Sequence, residues 1–230
     1  MKTIGLIGGM SWESTQEYYR ILNEETQRAL GGFHSAPCIL HSVDFAEIEK
    51  LQHEDRWEEL TGIMVRAART LENAGADFIL ICTNTMHKMA DEVQRSINVP
   101  LLHLVDATAE RIRQDELRKI GLLGTKFTME QDFYKGRLSD RFGIEVIIPG
   151  NEEREFIHQV IYNELCLGVV NQTSKERFLE IIRNLISQGA EGIILGCTEI
   201  PLLVSQADFP VPIYDTTEIH AKAAVAFALR

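Results

Sequence analysis

Two stretches of the chain place a cysteine among small and hydroxyl residues after an apolar run. They read GADFILICTNTMH, at residues 75–87, and GAEGIILGCTEI, at residues 189–200. Each opens with a Gly-Ala-acidic triplet and ends in a polar segment that holds a thiol. A cysteine thiol has an ordinary pKa of ~8.5 and is readily tuned to act as a nucleophile or a proton acceptor. The two stretches therefore predict thiol chemistry at the ends of two apolar segments.

The two cysteines do not occupy matching positions. Overlaying the stretches from their first glycines, without a gap, pairs Thr83 with Cys197 and Cys82 with Gly196. Because side chains alternate along a strand, Cys82 is then expected to point to the other face and to pack in the core. Buried unpaired cysteine is common, so we interpret Cys82 as structural and Thr83 as the counterpart of Cys197.

The composition is that of an ordinary globular protein. Of the 230 residues, 45% are hydrophobic and 25% charged. No apolar run reaches the ~20 residues that a membrane-spanning helix needs. A net charge of −11 argues against nucleic acid or an anionic membrane as a partner, since both need clustered Lys and Arg. A small-molecule substrate, including an anionic one, is compatible with this charge.

The N-terminus and the cysteines indicate a reducing compartment. The first residues lack the long apolar region and cleavage site of a signal peptide, so we expect a cytoplasmic protein. The four cysteines form no CxxC pair, which favours free thiols, and we interpret Cys38 and Cys166 as packing residues. No His or Cys cluster has metal-ligand spacing and no glycine-rich phosphate motif is present, so we expect neither a metal nor a nucleotide.

Short apolar runs alternate with helical patterns along the chain. Strands are predicted at residues 3–8, 38–43, 78–82, 101–105, 120–123, 145–148, 192–195 and 212–214. Between the second and third strands, apolar residues recur at helical spacing, namely Trp57, Leu60, Met64, Ala67 and Leu71. A similar stripe, Phe178, Ile181, Ile182 and Leu185, precedes the second quoted stretch. Such alternation is typical of an α/β protein with mainly parallel sheets flanked by helices.

The two halves of the chain resemble each other. IGLIGG at 4–9 is similar to IGLLGT at 120–125, and VPLLHLVDAT at 99–108 is loosely similar to VPIYDTT at 211–217. We infer an internal duplication with two α/β lobes, comprising residues 1–98 plus 210–230 and residues 99–209. Ser14 with Glu17 predicts the start of the first helix, and Gly31 with Gly32 predicts its end.

Ligands of parallel sheets bind beyond the carboxyl ends of the strands. Here those ends carry GGMS, CTNTMH, LLGTKFTM and GCTE, which hold thiols, hydroxyls and small residues. Met10, Ser11, Thr125 and Thr128 lie near predicted helix starts, where backbone N–H groups favour a carboxylate or phosphate. For His87 two alternatives stay open, a donor at a helix start and a residue that supports a ligand-binding neighbour.

The segments GLIGGMS, CTNTMH, LLGTKFTM and GCTEI, in this order, resemble the aspartate/glutamate racemase family, whose members racemise amino acids without pyridoxal phosphate. The resemblance implies two similar lobes related by approximate two-fold symmetry, an active site in the cleft with a cysteine from each lobe, no cofactor and a homodimer. Carried over by residue, the second cysteine is Cys197, whereas the first falls at Thr83 and departs from the pattern. The residues that would match substrate binders are Met10, Ser11, Gln52, Asn84, Thr85, Thr125, Thr128 and Thr198.

The departure at Thr83 predicts unequal catalysis. Nearby N–H dipoles can lower the pKa of a cysteine toward neutral pH, but a threonine hydroxyl is too weak an acid to become a base in this way. Thr83 can donate a proton or hold a water. In the family the cysteine of the second lobe attacks the L-substrate, so the resemblance implies that Cys197 is the base and that an L-amino acid, aspartate or glutamate, is preferred.

Several other functions stay open at this point. They are a broad-specificity amino-acid racemase, a related isomerase of maleate or hydantoin, a malonate decarboxylase, and an amino-acid-binding protein without catalysis.

Overall fold

The computed structural model describes all 230 residues, Met1–Arg230. The strands are β1 (Ile4–Gly8), β2 (Cys38–Ser42), β3 (Phe78–Ile81), β4 (Lys119–Gly124), β5 (Glu145–Ile147), β6 (Gly192–Gly196) and β7 (Ile213–Asp215). The α-helices are α1 (Trp12–Leu30), α2 (Phe45–His53), α3 (Trp57–Asn73), α4 (Ala90–Arg95), α5 (Leu104–Gln114), α6 (Lys126–Glu130), α7 (Asp132–Phe142), α8 (Asn151–Asn163), α9 (Gln172–Ser187) and α10 (Thr216–Ala228). Short 3-10 helices lie at Thr85–Met89, Leu165–Leu167, Ile200–Leu202 and Gln206–Asp208.

The chain forms two compact units. Met1–Leu104 with His220–Arg230 make the first unit, and Val105–Ile219 make the second. The first holds a three-stranded sheet of order β2-β1-β3, and the second a four-stranded sheet of order β5-β4-β6-β7. Every strand pair in both sheets is parallel. The predicted α/β fold with parallel sheets and flanking helices is therefore confirmed.

In the first unit, β3 is buried on both faces. Ile79 and Ile81 belong to an apolar cluster that includes the buried side of α3, whereas Phe78, Leu80 and Cys82 belong to a cluster that includes residues of α1. This alternation is the two-residue period of a strand. It confirms that Cys82 packs in the core. The helical stripe predicted on α3 is likewise buried from Leu60 onward.

In the second unit, α9 lies close against the sheet. Its apolar stripe is fully buried. A Cβ added at Gly121 in β4 would lie 2.6 Å from Ile193 Cδ1 and 3.1 Å from Leu185 Cδ1, so this position has no room for a side chain. Each fully buried Leu or Ile side chain of this stripe contributes about 1.5–3 kcal/mol to stability.

The predicted strand at residues 101–105 is wrong. Leu101 forms only an isolated parallel bridge with Ile79, and the chain enters α5 at Leu104. Pro100 O and the Leu102 N–H both bond to the backbone of Ile79, and no further pair follows. The apolar run was too short to distinguish one bridge from a strand.

The predicted start of the first helix is also wrong. The N-cap of α1 is Ser11, and Ser14 lies inside the first turn. Ser14 Oγ instead donates to the carbonyl of Cys82 at 3.0 Å, a partner distant in sequence. The predicted end at Gly31 is confirmed, because its N–H caps the helix by donating to Gln27 O.

The units differ from the inferred lobes at their boundaries. Residues 99–104 belong to the first unit, since Leu101 bridges to its sheet, and residues 210–219 belong to the second, since β7 pairs with β6. Each of these short segments joins the unit that contains the strand with which it pairs. In both cases that strand is not adjacent to the segment in sequence.

Candidate active site

The first candidate region follows β3. The Cys82 N–H donates to Ile7 O at 2.9 Å, so the chain keeps its strand pairing as far as this residue. Thr83 comes next and is half-buried, while Asn84 and Thr85 are buried at the start of the 3-10 helix Thr85–Met89. Thr83, Asn84 and Thr85 therefore lie at the carboxyl end of β3, where ligands of parallel sheets bind.

His87 holds this turn in place. Its Nδ1 lies 2.8 Å from Thr83 O, and its Nε2 accepts from the Leu104 N–H at 3.2 Å. A carbonyl only accepts and an amide N–H only donates, so the ring is neutral with its proton on Nδ1. The imidazole thus fastens the Thr83 carbonyl to the first residue of α5. Of the two alternatives for His87, the contacts favour support of a neighbouring residue.

Other predicted residues of the first unit surround the ends of the neighbouring elements. Met10 and Ser11 are buried between β1 and α1, and Ser11 Oγ accepts from the Ser14 N–H at 3.4 Å. Gln52 is buried on α2, and its Nε2 donates to Met86 Sδ at 3.2 Å. This contact brings Gln52 to the 3-10 helix that carries Thr85.

The second candidate region follows β6. Cys197 comes directly after the last strand residue and is 9% exposed. Its thiol donates to Glu199 Oε2 at 2.9 Å, and Thr198 Oγ1 donates to the same oxygen at 2.8 Å. Glu199 is only 3% exposed. One buried carboxylate oxygen therefore receives both the thiol and the hydroxyl.

The environment of Cys197 differs from our expectation. We expected backbone N–H dipoles to lower the pKa of the thiol. Burial instead raises the pKa of Cys197 well above its ordinary value, and the charge of Glu199 adds to this rise, with a smaller contribution from Cys166. The thiol is accordingly protonated at neutral pH in this structure.

Thr125 and Thr128 lie beside the end of β6. Thr125 caps α6, and its Oγ1 accepts from the Thr128 N–H at 3.3 Å. A Cβ added at Gly196 would lie 2.7 Å from Leu123 O and 3.2 Å from Thr128 Cγ2. The missing side chain at Gly196 is thus what allows α6 and β4 to approach the strand that carries Cys197.

The strand registers support the equivalence of Thr83 and Cys197. In the first sheet Ile4 pairs with Phe78, and in the second Ile120 pairs with Gly192. Aligning the repeat IGLIG at 4–8 with IGLLG at 120–124 therefore makes the starts of β3 and β6 equivalent. Counting forward from these starts makes Thr83 the positional equivalent of Cys197, as in the ungapped overlay.

Sequence reasoning assigned no role to Glu199. The residue was visible in GCTEI, and its signal was a carboxylate two positions after a thiol. In an extended strand the two side chains would point in the same direction but stay apart. The turn after β6, in which the Ile200 N–H donates to Cys197 O at 3.2 Å, brings them into contact.

The structure also bears on metals and membranes. No group of three or more His, Cys, Asp or Glu side chains is arranged to hold a metal ion. None of the helices combines the length and the apolar character needed to cross a membrane.

Comparison with known proteins identifies the family. The family model described as Asp/Glu/Hydantoin racemase matches residues 7–224. The broad specificity amino-acid racemase RacX of Bacillus subtilis (strain 168) is 26% identical over 235 residues, which cover 97% of this chain and 96% of the relative.

Two solved structures are similar over the whole chain. A putative Asp/Glu racemase from Yersinia pestis has a TM-score of 0.94 and 53% identity, with 100% of both chains covered. An aspartate racemase homologue from Pyrococcus horikoshii OT3 has a TM-score of 0.86 and 39% identity, again with 100% of both chains covered. The chain belongs to the Asp/Glu/hydantoin racemase family and is an isomerase of the racemase type.

Proposed function

We propose that the protein racemises an acidic amino acid, aspartate or glutamate, by removing and replacing the α-proton without pyridoxal phosphate. Cys197 is the base that takes the proton from the L-enantiomer. The observation that carries this proposal is a thiol at the carboxyl end of β6 whose sulfur lies 2.9 Å from a buried carboxylate oxygen, to which it donates. Ligands of parallel sheets bind beyond the carboxyl ends of the strands, which supports contact of this thiol with the substrate.

Thr83 takes the place of the usual first cysteine in this proposal. Its hydroxyl, or a water that it holds, returns a proton to the opposite face of the α-carbon. A threonine hydroxyl is a much weaker acid than a thiol, so it does not supply a base near neutral pH. Removal of the α-proton therefore starts from the L-enantiomer, and the reaction that starts from the D-enantiomer is slow.

The carbanion intermediate needs stabilisation by donors around the α-carboxylate. We assign binding of the carboxylate and ammonium groups to hydroxyl and amide side chains at the strand ends, with backbone groups beside them and Gln52 near the substrate side chain. The residues are Met10, Ser11, Gln52, Asn84, Thr85, Thr125, Thr128 and Thr198. Support comes from the burial of all of these residues except the half-buried Thr198, and from the position of all except Gln52 at helix starts or strand ends.

Exchange of the α-proton in D₂O, followed by NMR with each enantiomer of aspartate and glutamate, tests the proposal. The wild type should exchange an L-substrate, and Cys197→Ser should lower the rate by about 1000-fold, because loss of a general base costs about 10²–10⁴. The control is Cys82→Ala, which removes the thiol that packs in the core and should keep most of the activity.

Two results would contradict the proposal. Equal loss of exchange in both variants, with both folded, would remove the distinction between the thiols. Exchange of no amino acid by the wild type would instead favour an isomerase of another substrate or a binding protein.

A broad-specificity racemase is the second candidate. It is favoured by the similarity to RacX of Bacillus subtilis, which extends over 97% of this chain. The same NMR assay with alanine, lysine and arginine separates the two candidates. Exchange rates within about tenfold of the aspartate rate would support broad specificity, since a tenfold preference corresponds to only about 1.4 kcal/mol.

We further propose a homodimer in the cytoplasm. The dimer is supported by the family resemblance, and a reducing compartment by four cysteines in the thiol form, without a disulfide between them. Light scattering on the purified chain measures the oligomer directly.

A further inference from the structure

We propose that Glu199 is a second catalytic residue, the acceptor of the Cys197 thiol proton when the base forms. This inference rests on the proposed function, in which Cys197 removes the α-proton. It assigns to the segment Cys197, Thr198, Glu199 a complete proton-transfer unit within one turn.

The geometry of the turn supports this role. Glu199 Oε2 lies 2.9 Å from Cys197 Sγ and 2.8 Å from Thr198 Oγ1, and it accepts from both. The backbone is held by the Ile200 N–H, which donates to Cys197 O at 3.2 Å, and by the Leu202 N–H, which donates to Glu199 O at 3.0 Å. These backbone bonds fix the turn from which the Glu199 side chain reaches the thiol.

The electrostatics explain why an acceptor is needed. Burial first, and then the negative charge of Glu199, raise the pKa of the Cys197 thiol. A free thiolate beside this carboxylate would place two negative charges in a site with little water. When the proton moves from Sγ to Oε2, the total charge of the thiol–carboxylate pair is one negative charge both before and after the transfer.

The protons balance over one turnover. The Sγ–H bond breaks, its electron pair stays on sulfur, and the proton binds Glu199 Oε2. The thiolate takes the α-proton, and the C–H electron pair stays on the α-carbon. A water held by Thr83 protonates the opposite face and leaves hydroxide, which the Glu199 proton neutralises through solvent. The thiol and the carboxylate are then in their starting states.

The Thr198 hydroxyl has a defined part in this unit. It donates to the same oxygen that accepts the thiol proton, so it stabilises the ionised carboxylate between turnovers. Thr198 was expected to bind substrate, and this hydrogen bond gives it a positioning role as well.

Glu199→Gln is the main test, because an amide oxygen can still accept a hydrogen bond from the thiol but is not a base. The turnover number for the L-substrate should fall by about 100-fold or more, with little change in KM. The second readout is the rate at which iodoacetamide alkylates Cys197 at one fixed pH above neutral, followed by peptide mass spectrometry. This rate should rise in the variant, because removal of the neighbouring charge lowers the pKa of the thiol. Unfolding would also expose this buried thiol and lower turnover, so both readouts are taken on a variant whose thermal unfolding matches that of the wild type.

The matched control is Glu191→Gln, the same change just before β6. Glu191 is exposed and accepts from the backbone N–H groups of Arg118 and Lys119, contacts that glutamine can retain. Both readouts should stay near wild type. If Glu199→Gln does not fold, Glu199→Asp keeps a basic carboxylate one methylene shorter and should retain part of the turnover.

The outcomes separate this inference from the proposed function. Wild-type turnover in Glu199→Gln, together with an inactive Cys197→Ser, would overturn the role of Glu199 and leave the racemase proposal intact. A raised KM with unchanged turnover would also overturn it, since Glu199 would then bind substrate. If the wild type racemises nothing, the alkylation comparison still reports on the thiol–carboxylate pair, and an unchanged rate in Glu199→Gln contradicts it.

Discussion

The end of β3 and the end of β6 have equivalent backbone positions but different chemistry. After β3 the chain carries a cysteine buried in the core and then Thr83, whereas β6 ends in Gly196 and is followed directly by Cys197. At the first end a histidine holds the backbone carbonyl of Thr83. At the second end a glutamate holds the thiol itself. The comparison teaches that two strand ends in equivalent register can carry different chemistry, a hydroxyl at Thr83 and a thiol at Cys197.

The cysteines illustrate the same point. Burial raises the pKa of both thiols. Cys82 packs among apolar side chains, whereas Cys197 donates to a carboxylate that can take its proton. A high pKa therefore does not distinguish these two thiols. The neighbouring proton acceptor does.

The largest expected effect comes from making the two ends chemically alike. Thr83→Cys introduces a thiol at the position equivalent to Cys197 and should raise turnover of the D-enantiomer by about 100-fold, because a general base contributes about 10²–10⁴. Chiral chromatography, which separates the two enantiomers at successive times, measures this rate. Thr83→Ser retains a hydroxyl and should leave the D-rate unchanged. A Thr83→Cys protein with the wild-type D-rate would show that residue 83 does not occupy the first-base position.

A smaller effect is expected from adding a side chain at Gly196, the position in β6 that is equivalent to Cys82. Gly196→Ala would place a Cβ 2.7 Å from Leu123 O, a backbone atom that cannot rotate away. We expect a loss of about 2 kcal/mol in the free energy of unfolding, since overpacking costs about 1–3 kcal/mol. This corresponds to about 30-fold in the folding equilibrium.

Urea denaturation compares this variant with Gly62→Ala in α3. There an added Cβ meets only the flexible Arg66 Nη1 at 3.4 Å, so the helix should gain about 0.5–1 kcal/mol. Similar stability changes at both glycines would show that β6 tolerates a side chain at this position.

The smallest expected effect tests the histidine that holds the Thr83 turn. In His87→Asn the amide nitrogen can replace Nδ1 and donate to Thr83 O, whereas in His87→Gln the side-chain oxygen can replace Nε2 and accept from the Leu104 N–H. If the link to Thr83 positions the site, His87→Gln should lose about tenfold in turnover with L-substrate, equivalent to about 1.4 kcal/mol. His87→Asn should lose less.

The two histidine variants also distinguish a purely structural role. The link to Leu104 affects stability, so thermal unfolding should be changed more in His87→Asn than in His87→Gln. If turnover falls in step with the unfolding temperature in both variants, the histidine supports only the fold. A KM that rises alone would indicate that the turn binds substrate and does not position the proton donor.

Most of the fold was predictable because it rests on local periodicity. The α3 stripe and the buried strands follow from the spacing of apolar residues, which depends only on neighbouring positions. The failures occurred where a distant partner decides the outcome. The single bridge of Leu101 with Ile79 and the hydrogen bond of Ser14 with the Cys82 carbonyl both join residues far apart in the chain.

The site was predictable to the level of the strand ends and no further. The overlay indicated Thr83 and Cys197, and the sheet registers support it independently. Glu199 could not be assigned a role from spacing alone. Side chains two positions apart stay separate along a strand but can come into contact in a turn, and the sequence does not tell which applies. Only the turn after β6 brings the Glu199 carboxylate to the thiol.

The amino-acid sequence by itself determined the parallel α/β architecture, the family motifs and the unequal residues at the two strand ends. These follow from side-chain type and local repeat, which do not depend on the folded chain. The tertiary structure alone decided the state of the Cys197 thiol, because burial and the charge of Glu199 act through space on its pKa. It also decided that His87 holds Thr83, since Leu104 becomes its second partner only when α5 begins beside it.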